Sequence, residues 1–324
     1  MALLMFEGFE WATTIDWTGS LDYSADTPRS GTGRMYDPDS GIKVFPIAAT
    51  TTTIIIGVAY KAGVALRTIF IAHENANTHM KLNSEGGYLK LYRLNTLLET
   101  SVATWDFSEW QYIELKATIH DTTGSYEVRV NGQVAMSASG VDTRDGGVAG
   151  ICNNIKLVGN VDTQYDDLYV LDSSGSINND FLGPGARVLP CKVNAAGDDT
   201  DFTPLASSNY LNVDETPTPD GNTTYNASST SGHRDLYNLE ALTGQIAVGT
   251  VHGVRVKVSM EKDDVDAVSA KIAIKSGTTI AYGSDQACAE AYDEYEKFWE
   301  TNPDDSAQWE FADIDALQAG LEVV

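Results

Sequence analysis

The sequence predicts an all-β protein of two β-sandwich domains, mainly antiparallel, with a short helix near the C-terminus. Three observations lead there. Apolar and polar residues alternate with period two over several runs, as in a strand with one face on a core and the other in water. Asn131-Gly132 sits between two such runs, and a tight turn there needs positive φ at both residues, which marks a hairpin. The 28 glycines, with abundant Thr, Ser, Asn and Asp, supply many turns. At 324 residues the chain is long for one domain, and 42% apolar content is enough for sizeable cores.

Taken in order, residues 53–60 are β-branched and apolar, the mark of a buried strand, and fall well short of the roughly 20 residues that span a bilayer. Over 112–119, Ile113, Leu115, Ala117 and Ile119 interleave with Glu114, Lys116 and Thr118. A turn at Asp121-Thr-Thr-Gly124 follows, and then 125–130 alternates again with Tyr126, Val128 and Val130 on one face. Gln133 and Val134 begin a return strand, which completes a meander. Residues 155–158 and 165–171 are further strands. Beyond Leu171 the texture turns polar and Gly183-Pro-Gly185 punctuates it, so the chain divides into 1–178 and 179–324.

In the second part, strands are expected at 187–189, 251–260 and 270–275, whereas 216–224, with two prolines and an Asp-Gly, is a loop. Residues 286–297 read as extended. Tyr292 and Tyr295, with Phe298 and Trp299 beyond, suit a strand, and a helix there would have little apolar stripe to bury. Phe311, Ile314 and Leu317 recur at helical spacing, with Gly320 as the residue that ends the helix. A closing strand at 321–324 ties the terminus into a sheet.

The charge excludes some partners. Acidic residues number 46 against 21 basic ones, a net charge of −25, which is wrong for nucleic acid and for an anionic membrane surface. Cys152, Cys191 and Cys288 cannot all pair and show no C-x-x-C spacing, so they read as reduced thiols in a chain that matures inside a cell. The first ten residues show no basic n-region and no long apolar run, so a soluble product without an export signal is expected.

Four segments occur in a telling order: Phe6-Glu-Gly-Phe-Glu10, Trp110-Gln-Tyr-Ile-Glu-Leu-Lys116, Tyr126-Glu-Val-Arg-Val-Asn-Gly-Gln133 and Tyr165-Asp-Asp-Leu-Tyr-Val-Leu171. Together they resemble the concanavalin A-like (laminin-G-like) jelly-roll family over most of residues 1–175. Asn179-Asp-Phe-Leu-Gly183, Asp201-Phe-Thr-Pro204, Val213-Asp-Glu-Thr-Pro217, Asp235-Leu-Tyr237, Trp299-Glu-Thr-Asn-Pro303 and Ala316-Leu-Gln-Ala-Gly320 resemble a domain found downstream of such jelly rolls in structural proteins of tailed bacteriophages. The resemblance implies a non-enzymatic virion protein assembled in the host bacterial cytoplasm, either a capsid decoration protein or a minor tail or fibre-associated one. Its partners would be capsid or tail subunits and further copies of itself. The alternative is a lectin-like module on the virion that binds a host glycan. Neither reading needs nucleic acid, membrane insertion or a cofactor.

No catalytic or cofactor-binding residue is assigned. Jelly-roll glucan hydrolases carry Glu-x-Asp-x-x-Glu on one strand, and that spacing is missing here. The nearest pair, Asp166-Asp167, should point to opposite faces of its strand. His73 and His79 lie six residues apart without a third metal ligand, and with His120, His233 and His252 they read as surface or loop histidines. No Gly-x-Ser-x-Gly elbow occurs, and neither Gly31-Thr-Gly33 nor Gly86-Gly87 opens a helix that could cradle phosphate. Asp37-Pro-Asp39, Asp198-Asp-Thr-Asp201 and Asp263-Asp-Val-Asp266 are fragments of oxygen-ligand loops, so a structural calcium ion is left open and its ligands unassigned. Trp11, Trp17, Tyr23, Trp105 and Trp110 are expected in the core rather than on a sugar-stacking platform.

Overall fold

The computed structural model describes all residues except 1, 11–22, 25–27, 32–34, 37–39, 64–65, 147, 161, 217 and 264–265; the side chains of 23–24, 35–36, 40–43, 48–50, 66 and 160 also lie outside the description. The chain forms two compact units, Met1–Val188 and Leu189–Val324. Both are antiparallel β structures, as the period-two patterning predicts. No described helix is long and apolar enough to cross a membrane.

The first unit contains β1 (Leu3–Glu7), β2 (Tyr23–Ser24), β3 (Met35–Tyr36), β4 (Ser40–Thr51), β5 (Thr53–Ala62), β6 (Leu66–Glu74), β7 (Asn77–Glu85), β8 (Tyr88–Arg93), β9 (Thr96–Thr100), β10 (Gln111–Thr118), β11 (Gly124–Val130), β12 (Gln133–Val141), β13 (Cys152–Asn160) and β14 (Thr163–Asp172). Among the described residues, one sheet runs β12-β11-β10-β5-β14-β3-β2 with β1 on β14, and the other runs β4-β13-β6-β7-β8-β9. Ile54, Ile56, Val58, Ile113 and Leu115 of the first share one core with Phe70, Leu82, Leu91 and Leu157 of the second. The hairpin forms where expected: Asn131 and Gly132 have φ of 49° and 80°, and Asn131 Oδ1 accepts a hydrogen bond from the Tyr112 amide at 2.9 Å.

The alternation in β10 does not leave Glu114 in water. Tyr112 and Glu114 are buried because residues 180–188 fold back as a strap over the outer face of their sheet. Lys116 pairs with Asp180 at 3.1 Å, and the Arg129 guanidinium lies 4.2 Å over the Phe181 ring. The Leu182 amide donates to Tyr169 Oη, the Gly183 amide to Glu114 Oε1, and the Val188 amide to Asp167 Oδ1. Arg29 donates to the Pro184 and Ala186 carbonyls. The first unit therefore runs past residue 178, and the strand expected at 187–189 is replaced by this irregular strap. The polar texture after Leu171 marks the exit from β14, not from the unit.

The second unit contains β15 (Val193–Thr200), β16 (Thr203–Pro204), β17 (Asn226–Ala227), β18 (Arg234–Leu239), β19 (Val254–Met260), β20 (Ser269–Ser276), β21 (Thr279–Tyr282), β22 (Gln286–Ala287), β23 (Asp293–Trp299), helix α1 (Phe311–Asp315) and β24 (Gln318–Val323). Its main sheet runs β15-β18-β24-β20-β21 with β22 on β20, beside a β19-β23 ribbon and a β16-β17 pair. Ile272, Ile274, Trp299, Trp309, Ile314 and Leu317 form the core. Residues 286–297 are not helical, but they are not one extended run either: β22 and β23 belong to different sheets and a bend at 290–291 lies between them. Gly320 does not cap the helix. It lies in β24, where a Cβ would stand 1.9 Å from the Asp235 carbonyl oxygen, so only glycine permits this strand approach.

The motif residues of the second unit hold its loops. Buried Asp235 accepts from the Phe202 amide (2.8 Å), Asn209 Nδ2 (2.6 Å) and Tyr237 Oη (2.9 Å). Asn226 donates to Tyr237 Oη and to the Asn209 carbonyl, both at 2.8 Å. A satisfied network of this kind fixes the excursion between β15 and β18 without apolar bulk.

Candidate ligand-binding face

Asp166 and Asp167 do not point apart. A bulge interrupts β14 between Asp166 and Tyr169, and Asp167 takes a φ of 51°, so both carboxylates turn onto Arg29 and Ser30. Asp166 Oδ2 accepts the Arg29 and Ser30 amides at 2.8 and 3.1 Å, and its Oδ1 accepts the Asp167 amide at 2.8 Å. Asp167 takes the Ser30 hydroxyl at 2.5 Å, the Val188 amide at 2.8 Å and an Arg29 ion pair. Burial and the adjoining Asp167 raise the Asp166 pKa, against the pull of the amides that bind it. Both side chains are sealed and every carboxylate oxygen is occupied, so the pair acts as a latch for the strap.

Beside it, the Tyr169 ring lies over Gly57, where an added Cβ would approach the ring to 2.1 Å. This lets Tyr169 Oη reach across β5 to Glu114 Oε1 at 2.5 Å. Glu114 Oε2 has no hydrogen-bond partner among the described residues.

His73 and His79 flank the β6–β7 turn but are buried strand residues, not surface ones. His79 Nδ1 accepts the Asp145 amide at 3.1 Å, so its proton sits on Nε2, facing the Ile151 carbonyl at 3.1 Å and Glu74 Oε2 at 3.4 Å. Burial lowers the His79 pKa against the opposing pull of Glu74. Burial alone would raise Glu74, but the Gly150, Ile151 and Ala149 amides, together with His79, hold it below its usual range. Both ring nitrogens of His73 lack partners among the described residues, and burial, Lys156 and His79 push its pKa down to about 4.

The outer face of the β4–β9 sheet is organised differently. Register puts Val44, Lys156, Ile71, Lys81, Tyr92 and Leu97 in one row across it. Thr68, Asn83, Lys90 and Thr100 form the next row, and Glu85 pairs with Tyr88 beyond. Glu85 Oε1 accepts from Tyr92 Oη at 3.0 Å and Asn83 Nδ2 at 3.2 Å, Oε2 takes Lys90, and Thr68 donates to Asn83 Oδ1 at 3.0 Å. Burial alone would raise Glu85, but Lys90, Asn83 and Tyr92 hold it below its ordinary range, so it is a carboxylate fixed by its neighbours. Lys81 Nζ lies 5.0 Å over the Tyr92 ring. These side chains are half-exposed, and Tyr88 and Leu97 are 40% and 48% exposed. The face thus offers an aromatic ring, a carboxylate, an amide and several ammonium groups in fixed positions.

Residue-by-residue reading of the sequence did not single out this face. The available signal was two alternating runs, Lys81, Asn83 and Glu85, then Tyr88, Lys90 and Tyr92, about the Gly86-Gly87 turn, whose φ values are 62° and 86°. Trp105 packs against the core as expected and Trp110 is half-buried; Trp11, Trp17 and the Tyr23 side chain lie outside the described residues, as do Asp37 and Asp39. Asp198 pairs with Lys275 and accepts from Gln318, and Asp199 binds Arg234 at 2.7 Å, so that acidic fragment faces its own cations. Among the described residues, no three His, Cys, Asp or Glu side chains are grouped to hold a metal ion.

No family model and no curated protein matches the chain. Solved structures resemble part of it. An endo-β-1,4-glucuronan lyase from the fungus Trichoderma reesei is 12% identical over 52% of this chain and 94% of its own, with a TM-score of 0.39. Carbohydrate-binding module CBM66 from Bacillus subtilis is 8% identical over 49% of this chain and 98% of its own, with a TM-score of 0.33. A tetrameric galectin from the ball sponge Cinachyrella sp. is 9% identical over 41% of this chain and 100% of its own, with a TM-score of 0.31. An enzyme and non-catalytic modules thus stand side by side, and likeness at this level brings no substrate to this chain.

Proposed function

We propose that the chain is a non-enzymatic, glycan-binding β-sandwich protein carried on a tailed-phage particle. The observation that supports glycan binding is the Glu85-centred array on the open face of the β4–β9 sheet. Tyr92 gives a ring for a sugar face to stack on, and Asn83, Lys90, Thr68 and Glu85 give donors and acceptors for hydroxyls. Their mutual hydrogen bonds hold the rotamers before a ligand arrives, which lowers the entropic cost of binding. The particle location rests on the sequence resemblance of the second half, and a net charge of −25 suits a subunit that must stay soluble until docked.

The test is a panel of polysaccharides in affinity electrophoresis, followed by Tyr92→Ala. Saturable retention by at least one polymer, weakened tenfold or more in the variant, is the expected result. No retention across the panel, or retention indifferent to Tyr92→Ala, refutes the binding site. Release of new reducing ends or unsaturated products would move the protein among the enzymes. Gold-labelled antibody on purified particles tests the location.

A further inference from the structure

We infer that the ligand of this face is an anionic polysaccharide, held where Lys156 and Lys81 stand on either side of Ile71. The inference rests on the glycan-binding reading above and adds the charge class of the ligand. It starts from a contrast within the first unit. Lys90 pairs with Glu85, Arg93 with Asp142, Lys116 with Asp180, Arg129 with Glu127 and Arg144 with Asp121. Lys156 and Lys81 have no carboxylate partner among the described residues. In a chain with 46 acidic residues against 21 basic ones, two ammonium groups without a carboxylate partner in one row of an open sheet face are out of keeping with their surroundings.

The register gives their spacing. Lys156 on β13 is opposite Ile71 on β6, which is opposite Lys81 on β7, so two strand spacings put their Cα atoms about 10 Å apart. A polymer with a carboxylate or sulfate on repeating sugar rings can present anions on that scale, whereas a single small anion reaches one ammonium at a time. Tyr92 continues the row beyond Lys81, so a sugar ring can stack there while the chain runs across the strands. Lys156 also stands near enough to His73 to add to the effect of burial in disfavouring its charged form. Lys90 is tied to Glu85 and so aids orientation rather than charge.

The experiment is a titration of the whole chain with polygalacturonate, with the same polymer after carboxyl reduction, and with heparin, at low and at 0.5 M salt. Polygalacturonate or heparin should bind at least tenfold more tightly than the reduced polymer, and added salt should weaken that binding. Lys156→Gln and Lys81→Gln should each weaken it severalfold and flatten the salt dependence, while Lys275→Gln in the second unit should leave it unchanged. Preference for polygalacturonate over heparin assigns carboxylate; the reverse assigns sulfate. Equal binding of the reduced polymer, or anionic binding untouched in both lysine variants, overturns the inference and leaves a face for neutral sugars. If no polysaccharide of either kind binds, the glycan-binding reading itself falls.

Discussion

The two outer faces of the first unit make an instructive pair. Each carries acids, cations and tyrosines. On one, Glu114, Asp166, Asp167, Tyr112 and Tyr169 are sealed under the strap and Arg29, and nearly every polar atom is spoken for. On the other, Glu85, Asn83, Lys90 and Tyr92 are half-exposed and bonded mainly to one another, and Lys81 and Lys156 have no acidic partner among the described residues. Similar residue types thus serve two purposes. Where the chain covers its own polar groups they hold the fold, and where it leaves them half-exposed they are available to a ligand.

The largest expected effect comes from breaking the sealed face. Arg29→Ala leaves the Asp167 carboxylate buried and unpaired, which should cost about 3–5 kcal/mol in urea denaturation of the first unit. A loss below about 1 kcal/mol would show that the strap does not depend on this ion pair. Next is pH. His73 has a folded-state pKa near 4, below its ordinary value of about 6.5, so the unfolded chain takes up the proton first. Its contribution is present above pH 6.5 and is lost as the pH falls towards 4, by roughly 3 kcal/mol in all. His73→Gln should flatten the stability profile between those limits; an unchanged slope there would mean His73 finds a partner when charged. The smallest is Gly57→Ala, which pushes on the Tyr169 ring and lengthens its bond to Glu114, for about 1–3 kcal/mol. Polysaccharide binding by the other face should survive Gly57→Ala, and its loss would show that the two faces are coupled.

Much of the fold was legible because strand patterning is local. The β10–β12 meander, the Asn131-Gly132 turn, the extended run before Trp299 and the closing strand all follow from residues within a few positions of one another. The strap was not. Gly183 reaches Glu114 across 69 positions and Arg29 reaches Asp167 across 138, and no local pattern carries that information. Glu114 therefore reads as a solvent residue from its own strand, although a distant segment buries it. Asp166 and Asp167 were misplaced for a related reason: alternation holds only where the ladder is regular, and the bulge at Asp167 breaks it. The proposed binding face was half legible, since its alternating residues were present but pointed no more to a ligand than to water.

The position of β24 has a consequence for synthesis. It fills the gap between β18 and β20, pairing Arg234 with Glu322 and Lys271 with that same residue. Until residues 318–323 leave the ribosome, two strands destined for the middle of a sheet stand as bare edges, each a template for a wrong partner. A nascent chain stalled just short of that point should be a favoured client of chaperones.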